Sequence, residues 1–403
     1  MIPPAVQAAA RSGHPAYLYD LASLADHAAT VRRALPAGVE LLYAMKANPD
    51  PALLAALAPY VTGLEVASGG ELAHHAASGA TSPVAAFGGP GKTPEEIAAG
   101  IGGGVQRFHV ESLRELLAVN QAARAVGRVL GVLLRVNIPT PPRAGAALVM
   151  GGAPSPFGMD PPEADACIPA LADLPWVRFR GIHAHLASGL DAVAAAAVAS
   201  DVVDWAMRFG ARHGVPIGEV NVGGGMAVDY VDPQRRFDWA AYGGRLRRVL
   251  DTHPGLTLRI EPGRSLTVYC GWYATEVLDV KRSHGRWFAV VRGGTHHLRT
   301  PAAKGHNHPF TVLPVGAGPG NDHPPITVVG QLCTPRDVLS RAAPVRLSIG
   351  DVVVFCMAGA YAWNISHHDF LMHPPPAMRY LNVPEAVPGP GRADALPGGP
   401  SPT

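Results

Sequence analysis

The chain has 403 residues, 16% of them charged, and a formal net charge of +2, which allows one large domain plus a smaller one and excludes a polyanion-binding surface. Cys167, Cys270, Cys333 and Cys356 are widely spaced and form no CxxC pair, which excludes a disulfide scaffold or metal finger. The opening Met1-Ile2-Pro3-Pro4 lacks a basic and apolar leader, and no uncharged apolar run is long enough to cross a bilayer, so a cytoplasmic protein with no nucleic-acid or membrane partner is expected.

Ala16-Tyr17-Leu18-Tyr19 reads as a short strand, and an amphipathic helix follows from about Leu21 to Leu35. Apolar strand-like runs then alternate with Ala/Leu-rich helical stretches. The strands are Leu41-Tyr43, Leu64-Val66, Val84-Phe87, Arg107-Val110, Val129-Val136, Phe179-His185, Glu219-Val222 and Thr257-Ile260. Between them lie helices over Pro51-Leu57, Gly70-Ala77, Pro94-Ala99, Ser112-Ala125, Pro161-Leu171 and Ala192-His213. Eight strands separated by helices predict an α/β fold, a closed (β/α)8 barrel with its chemistry at the strand C-terminal ends. After Pro262 strands follow one another, at Thr267-Leu278, Trp287-Val291, Ile326-Val329 and Asp351-Met357, as in an all-β sandwich or barrel domain. The expected division is 1–22, an N-terminal strand joining the β domain; 23–265, the barrel; 266–383, the β domain; and 384–403, a Pro/Gly-rich tail with too little to bury to fold.

The chemistry-bearing residues fall at strand ends. Lys46, in Tyr43-Ala44-Met45-Lys46-Ala47-Asn48, closes an apolar run, where desolvation favours a neutral amine that can condense with an aldehyde cofactor or a carbonyl substrate. Asn221-Val222-Gly223-Gly224-Gly225 lets backbone N–H groups approach a phosphate, although a tight turn explains three glycines equally simply. Glu261-Pro262-Gly263-Arg264 sets a carboxylate and a guanidinium at the barrel mouth, suited to a pyridine nitrogen and a phosphate, or to each other as an ion pair. In His183-Ala184-His185-Leu186-Ala187-Ser188-Gly189 both histidines point the same way; no third ligand matches a metal site, so His185 is read as stacked on a flat ring, Ser188 as a phosphate donor and His183 as a satisfied core residue. Tyr361 follows a strand beside Gly359, where it can reach a phosphate or simply pack. Cys333 sits in a turn and is either an inert hydrophobe or a proton donor to a carbanion.

Taken in order, YAMKAN, EVASGGE, HAHLASG, NVGGG, EPGR, the Cys333 turn and GAY resemble the fold type III pyridoxal-phosphate-dependent decarboxylases, the family of ornithine, arginine and diaminopimelate decarboxylases, from Tyr17 to about Tyr380. The resemblance implies an alanine-racemase-like barrel plus β domain and the cofactor pyridoxal 5'-phosphate carried by Lys46. It further implies that His185 stacks on the ring, that Ser188, Gly223, Gly224, Gly225, Gly263, Arg264 and Tyr361 hold the phosphate, and that Glu261 meets the pyridine nitrogen. Glu65 and Glu71 match acidic positions near the lysine and cofactor. Cys333 would protonate Cα in the partner subunit's site, which implies a homodimer with shared sites and no metal. Racemase relatives set an arginine against the ring nitrogen; Glu261 makes a stronger electron sink and favours decarboxylation.

Several positions depart from the ornithine and diaminopimelate enzymes. Thr334 stands where those enzymes carry the acid that binds a distal amine, and His297 replaces an aspartate. Acids are lost while His296, His297, Arg299, Lys304, His306, His308 and Arg336 gather in the same segments, with His368 beyond GAY. Such a pocket suits an anionic distal group; a solvated histidine-rich loop is the bland alternative. GGTHHLRTPAA, GHNHPF and NISHHDFLMHPPP resemble the siderophore-pathway branch, which includes the decarboxylase of citryl-diaminopropionate in staphyloferrin B-type biosynthesis. The rival readings are a diaminopimelate decarboxylase, a decarboxylase of another amino acid (ornithine/arginine-like or carrier-bound), and a non-catalytic pyridoxal-phosphate-binding regulator.

Overall fold

The computed structural model describes residues 2–139, 148–149, 151–300, 303, 305–316 and 325–384. Lys304 and almost all of the tail 384–403 lie outside them.

The strands in chain order are β1 (Ala16–Asp20), β2 (Val39–Ala44), β3 (Gly63–Val66), β4 (Val84–Phe87), β5 (Arg107–Val110), β6 (Leu130–Arg135), β7 (Leu148–Val149), β8 (Val177–His183), β9 (Ala187–Ser188), β10 (Glu219–Asn221), β11 (Thr257–Ile260), β12 (Gly271–Ser283), β13 (Arg286–Val291), β14 (Phe310–Leu313), β15 (Ile326–Val329), β16 (Val338–Ala343), β17 (Val352–Phe355) and β18 (Ala377–Leu381). Strands β2, β3, β4, β5, β6, β8, β10 and β11 close into a parallel barrel in that order, β11 returning to β2. Several are buried along their length and read in the sequence as apolar runs, as over Leu41–Tyr43 in β2, Val84–Phe87 in β4 and Val132–Leu134 in β6. Side-chain caps start the intervening helices: Ser68, Ser112 and Asp191 accept N–H groups of the first turn, and Thr93 with Glu96 forms a reciprocal capping box.

Glu219 ties the barrel together at the start of β10. It accepts from Arg107 at 2.8 Å, from Arg180 at 2.7 Å, and from Arg259, which also pairs with Glu40. The second body is a curled sheet in the order β14-β17-β12-β13-β15-β16, with β1 paired to β12 and β18. Tyr17 of β1 reaches across this sheet and donates to the carbonyl of His297 at 2.6 Å.

The chain departs locally from expectation. The strand expected from Thr267 begins at Gly271, because Arg264–Thr267 and Val268–Cys270 form helical turns after Gly263. The strand expected to run to His185 ends at His183. The helices Pro4–Arg11 and Trp239–Asp251, and strands β14, β16 and β18, were not anticipated.

Candidate active site

Lys46 sits in the helical turn Met45–Ala47 that follows β2, and the sheet domain clamps that turn. Asn364 Nδ2 donates to Lys46 O at 2.7 Å, Tyr361 N–H to Ala47 O at 2.7 Å, and Asn48 Nδ2 to Gly359 O at 3.0 Å. β2 and β3 align Ala44 with Glu65, which brings Glu65 Oε2 to 2.5 Å from Lys46 Nζ. The neutral amine expected from burial is therefore corrected. Burial opposes the charge, but the carboxylates of Glu65 and Glu261 outweigh it, and Lys46 is held as an ammonium with its pKa raised. The lysine side chain remains 46% exposed, so it faces an open mouth.

Glu261 lies at the floor of the same mouth, at the end of β11. Burial, then the nearby Glu65 carboxylate, pushes its pKa up to about 7, against Lys46 and a 2.7 Å hydrogen bond from Asn221 Nδ2. His185 lies over the glycine loop: its Nδ1 accepts from Gly224 N–H at 3.2 Å and its Nε2 stands 3.4 Å from Ser188 Oγ. Burial and then Lys46 push His185 down to about 3, so the imidazole is neutral. Gly223 has φ +70°, and a Cβ there would lie 2.4 Å from His185 Nδ1, so only glycine permits this approach. Arg264 donates to Tyr230 Oη at 2.8 Å and lies 4.5 Å from the Tyr361 ring centroid. Glu71 accepts the N–H of Ala67 at 2.6 Å, which braces the loop between β3 and the next helix.

These groups fit pyridoxal phosphate. An amine stands beside a buried carboxylate, a neutral imidazole lies over a glycine loop that a side chain would fill, and a guanidinium is held between two tyrosines. Lys46, Glu65, His185, Ser188, Gly223 to Gly225, Glu261, Gly263, Arg264 and Tyr361 could hold it.

The residues expected to bind substrate form a neighbouring group. His297 uses both ring nitrogens, with Tyr273 Oη at 2.9 Å and Pro374 O at 3.0 Å. His296 packs against it with ring centroids 4.1 Å apart. Burial, then neighbouring histidines, pushes His296 down to about 4 and His297 to about 3. Neither carries charge near neutral pH, which corrects the expectation that they make the pocket cationic; of the other cations expected there, Arg299 and Arg336 are exposed. Arg299 N–H donates to Ser366 Oγ at 3.1 Å, and His368 stacks on Trp363 at 3.6 Å. Cys333 is exposed and Thr334 half-buried, both on the turn between β15 and β16. Asp337 pins that turn to the histidine segment by accepting from Leu332 N–H at 2.8 Å and Thr295 N–H at 2.6 Å.

Sequence reading missed three contributors. Arg135 ends β6 and pairs with Glu111 at 2.6 Å; a lone charge closing an apolar strand was its signal. Tyr230 holds Arg264. His109, in β5, is buried 3.9 Å from Glu261.

Comparison with known proteins agrees with this geometry. The profile described as "Pyridoxal-dependent decarboxylase, pyridoxal binding domain" matches residues 21–268. The chain is 38% identical over 393 residues to the Staphylococcus aureus 2-[(L-alanin-3-ylcarbamoyl)methyl]-2-hydroxybutanedioate decarboxylase, covering 94% of this chain and 98% of that one. It is 31% identical to the Niallia circulans L-glutamyl-[BtrI acyl-carrier protein] decarboxylase, covering 90% and 87%. The diaminopimelate decarboxylase of M. jannaschii, solved in complex with L-lysine, superposes with a TM-score of 0.83 at 25% identity, covering 93% and 89%.

Proposed function

The chain belongs to the pyridoxal-dependent decarboxylases, and on that premise we propose that it removes the α-carboxylate of an amino acid whose distal arm is anionic, best represented by citryl-diaminopropionate. The S. aureus relative is named for such a molecule, an amide that joins a citrate-like hydroxyacid to the Cβ nitrogen of an alanine unit. The single observation that carries the reading is this 38% identity over almost the whole of both chains. Thr334 in place of an acid, with Arg299 and Arg336 exposed nearby, agrees with an anionic arm. A carrier-bound glutamyl substrate is the second reading, supported by the N. circulans relative.

Bound pyridoxal phosphate supplies the sink for the electron pair left when the Cα–carboxylate bond breaks. In the proposed site Lys46 Nζ anchors the cofactor and Glu65 orients that nitrogen. Glu261 would accept from the protonated ring nitrogen, and His185 would pack on the ring face. Ser188, the Gly223 to Gly225 loop, Gly263, Arg264 and Tyr361 would hold the phosphate, the Gly223 and Gly224 N–H groups being taken by Asn221 Oδ1 and His185 Nδ1. The substrate's distal carboxylates lie toward Arg299, Arg336 and His368, beside His296, His297 and Thr334. Cys333 of the partner subunit donates its Sγ proton to Cα as CO₂ leaves, so the working form is a homodimer with shared sites. The four cysteines are free, in keeping with a reducing cytoplasm.

Release of CO₂ from citryl-diaminopropionate, diaminopimelate, ornithine, lysine and arginine, measured side by side, tests the proposal. The first substrate should exceed the others in kcat/KM by about ten- to a hundredfold, the worth of a charge-assisted contact to its distal carboxylates. Preference for diaminopimelate would replace this reading with the lysine-pathway one.

A further inference from the structure

Behind the Glu261 carboxylate the barrel holds two imidazoles that the proposed reaction does not use. His109 and His183 are buried, with ring centroids 4.1 Å apart and the rings tilted by 31°. His109 Nδ1 lies 3.9 Å from Glu261 Oε1, and His183 Nε2 lies 3.7 Å from Oε2. These nitrogens and His183 Nδ1 make no hydrogen bond to another described group, although buried polar atoms are normally partnered. His183 is thus buried but not satisfied, which corrects its reading as a satisfied core residue.

Asn221 sets the tautomer of His109. Its Oδ1 accepts from Gly223 N–H at 2.9 Å, which identifies the amide end. Its Nδ2 donates to Glu261 at 2.7 Å and faces His109 Nε2 at 3.5 Å. An accepting Nε2 leaves the ring proton on Nδ1, the atom that faces Glu261.

Two kinds of ligand, a metal ion and a water, suit two histidines and a carboxylate, and the charge around them separates the two. One ligand atom from each residue lies within 4.8 Å of the others. A tetrahedral zinc ion with bonds of about 2.0–2.1 Å needs ligand atoms about 3.4 Å apart. A water bonded at about 2.8 Å needs partners about 4.6 Å apart. The nearest N···O approaches, 3.7 and 3.9 Å, fall between the two values, so the surrounding charge decides. Lys46, Lys92, Arg135 and Arg259 also face His109 and oppose a dication.

We infer that His109, His183 and Glu261 form a site for one buried water, through which the two imidazoles act as positioning residues for the Glu261 carboxylate. The inference rests on the proposed contact of Glu261 with the cofactor's ring nitrogen. Asn221 and the water occupy the rear of the carboxylate and aim its remaining lone pairs at that nitrogen. The charged groups facing Glu261 are Lys46, Glu65 and Arg135, none of which the test alters.

The test is ¹⁵N NMR of the holoenzyme carrying ring-labelled pyridoxal phosphate, followed across pH. His183→Phe keeps bulk and removes both nitrogens; His183→Asn keeps a donor, and His109→Phe probes the other side. The pH at which the ring nitrogen loses its proton should fall by about one unit, a tenfold loss of proton affinity, in His183→Phe and return most of the way in His183→Asn. An unchanged midpoint in His183→Phe and His109→Phe overturns the inference. So does one equivalent of tightly held transition metal that disappears in His183→Phe. Failure of the unsubstituted protein to take up the cofactor would instead overturn the underlying functional reading before any variant is compared.

Discussion

Lys46 Nζ and Glu65 Oε2 lie 2.5 Å apart, and this pair keeps the amine protonated. An ammonium cannot attack an aldehyde, so the pair sets how readily the lysine captures its cofactor. Glu65→Gln lowers the lysine's pKa and should speed capture of added pyridoxal phosphate at neutral pH by roughly tenfold, the effect of one pKa unit. Stopped-flow absorbance measures it. A slower or unchanged rate would show that Glu65 does not govern the amine.

Glu261→Gln keeps the shape and the Asn221 contact but removes the charge. Loss of one preorganised electrostatic contact costs about 10²–10³ in kcat. Steady-state assays should find that loss with cofactor still bound.

Cys333→Ala should leave the cofactor absorbance intact and lower decarboxylation about 10²–10⁴-fold, the usual contribution of a positioned proton donor. Mixing Cys333→Ala with Lys46→Ala protein should restore part of the activity, because a hybrid dimer would contain one intact shared site. No restoration would place both residues in the same subunit's site.

Arg299→Ala and Arg336→Ala each remove a cation that His296 and His297, held neutral, cannot replace. Loss of a charge-assisted contact costs about 1.5–3 kcal/mol, so KM for citryl-diaminopropionate should rise about ten- to a hundredfold. The slow turnover of diaminopimelate should not worsen.

The Glu219 cluster contributes to stability with a defined pH dependence. Burial works against the carboxylate, but Arg107, Arg259 and Arg180 hold its pKa down to about 2, against 4.5 for an ordinary glutamate. The unfolded chain therefore takes up this proton first. The stabilisation is complete above about pH 4.5 and is lost as pH falls toward 2. Glu219→Ala leaves buried Arg259 with Glu40 alone and removes the partner of Arg107 and Arg180, which should lower the urea midpoint at pH 7.

The barrel was legible because most of its parallel strands hold a short apolar stretch closed by glycine, proline or a charge. The half-exposed strands β14 and β16 carry no such pattern. β18 is defined by its pairing with β1 at the far end of the chain, which no local window contains. Lys46, Glu261 and the glycine loop stood out because chemistry-bearing residues closed apolar strands. The charge state of Lys46 did not, because it depends on the register that sets Glu65 beside it. His296 and His297 looked cationic in sequence; only their burial shows them neutral. His109 was invisible because a histidine within a strand has no pattern that separates packing from function.

The most direct measurement is borohydride reduction of the purified protein after incubation with pyridoxal phosphate, followed by peptide mass spectrometry. A pyridoxyl group on Lys46, absent from Lys46→Ala protein, is the predicted result. A colourless protein, or a label on any other lysine, would contradict the account.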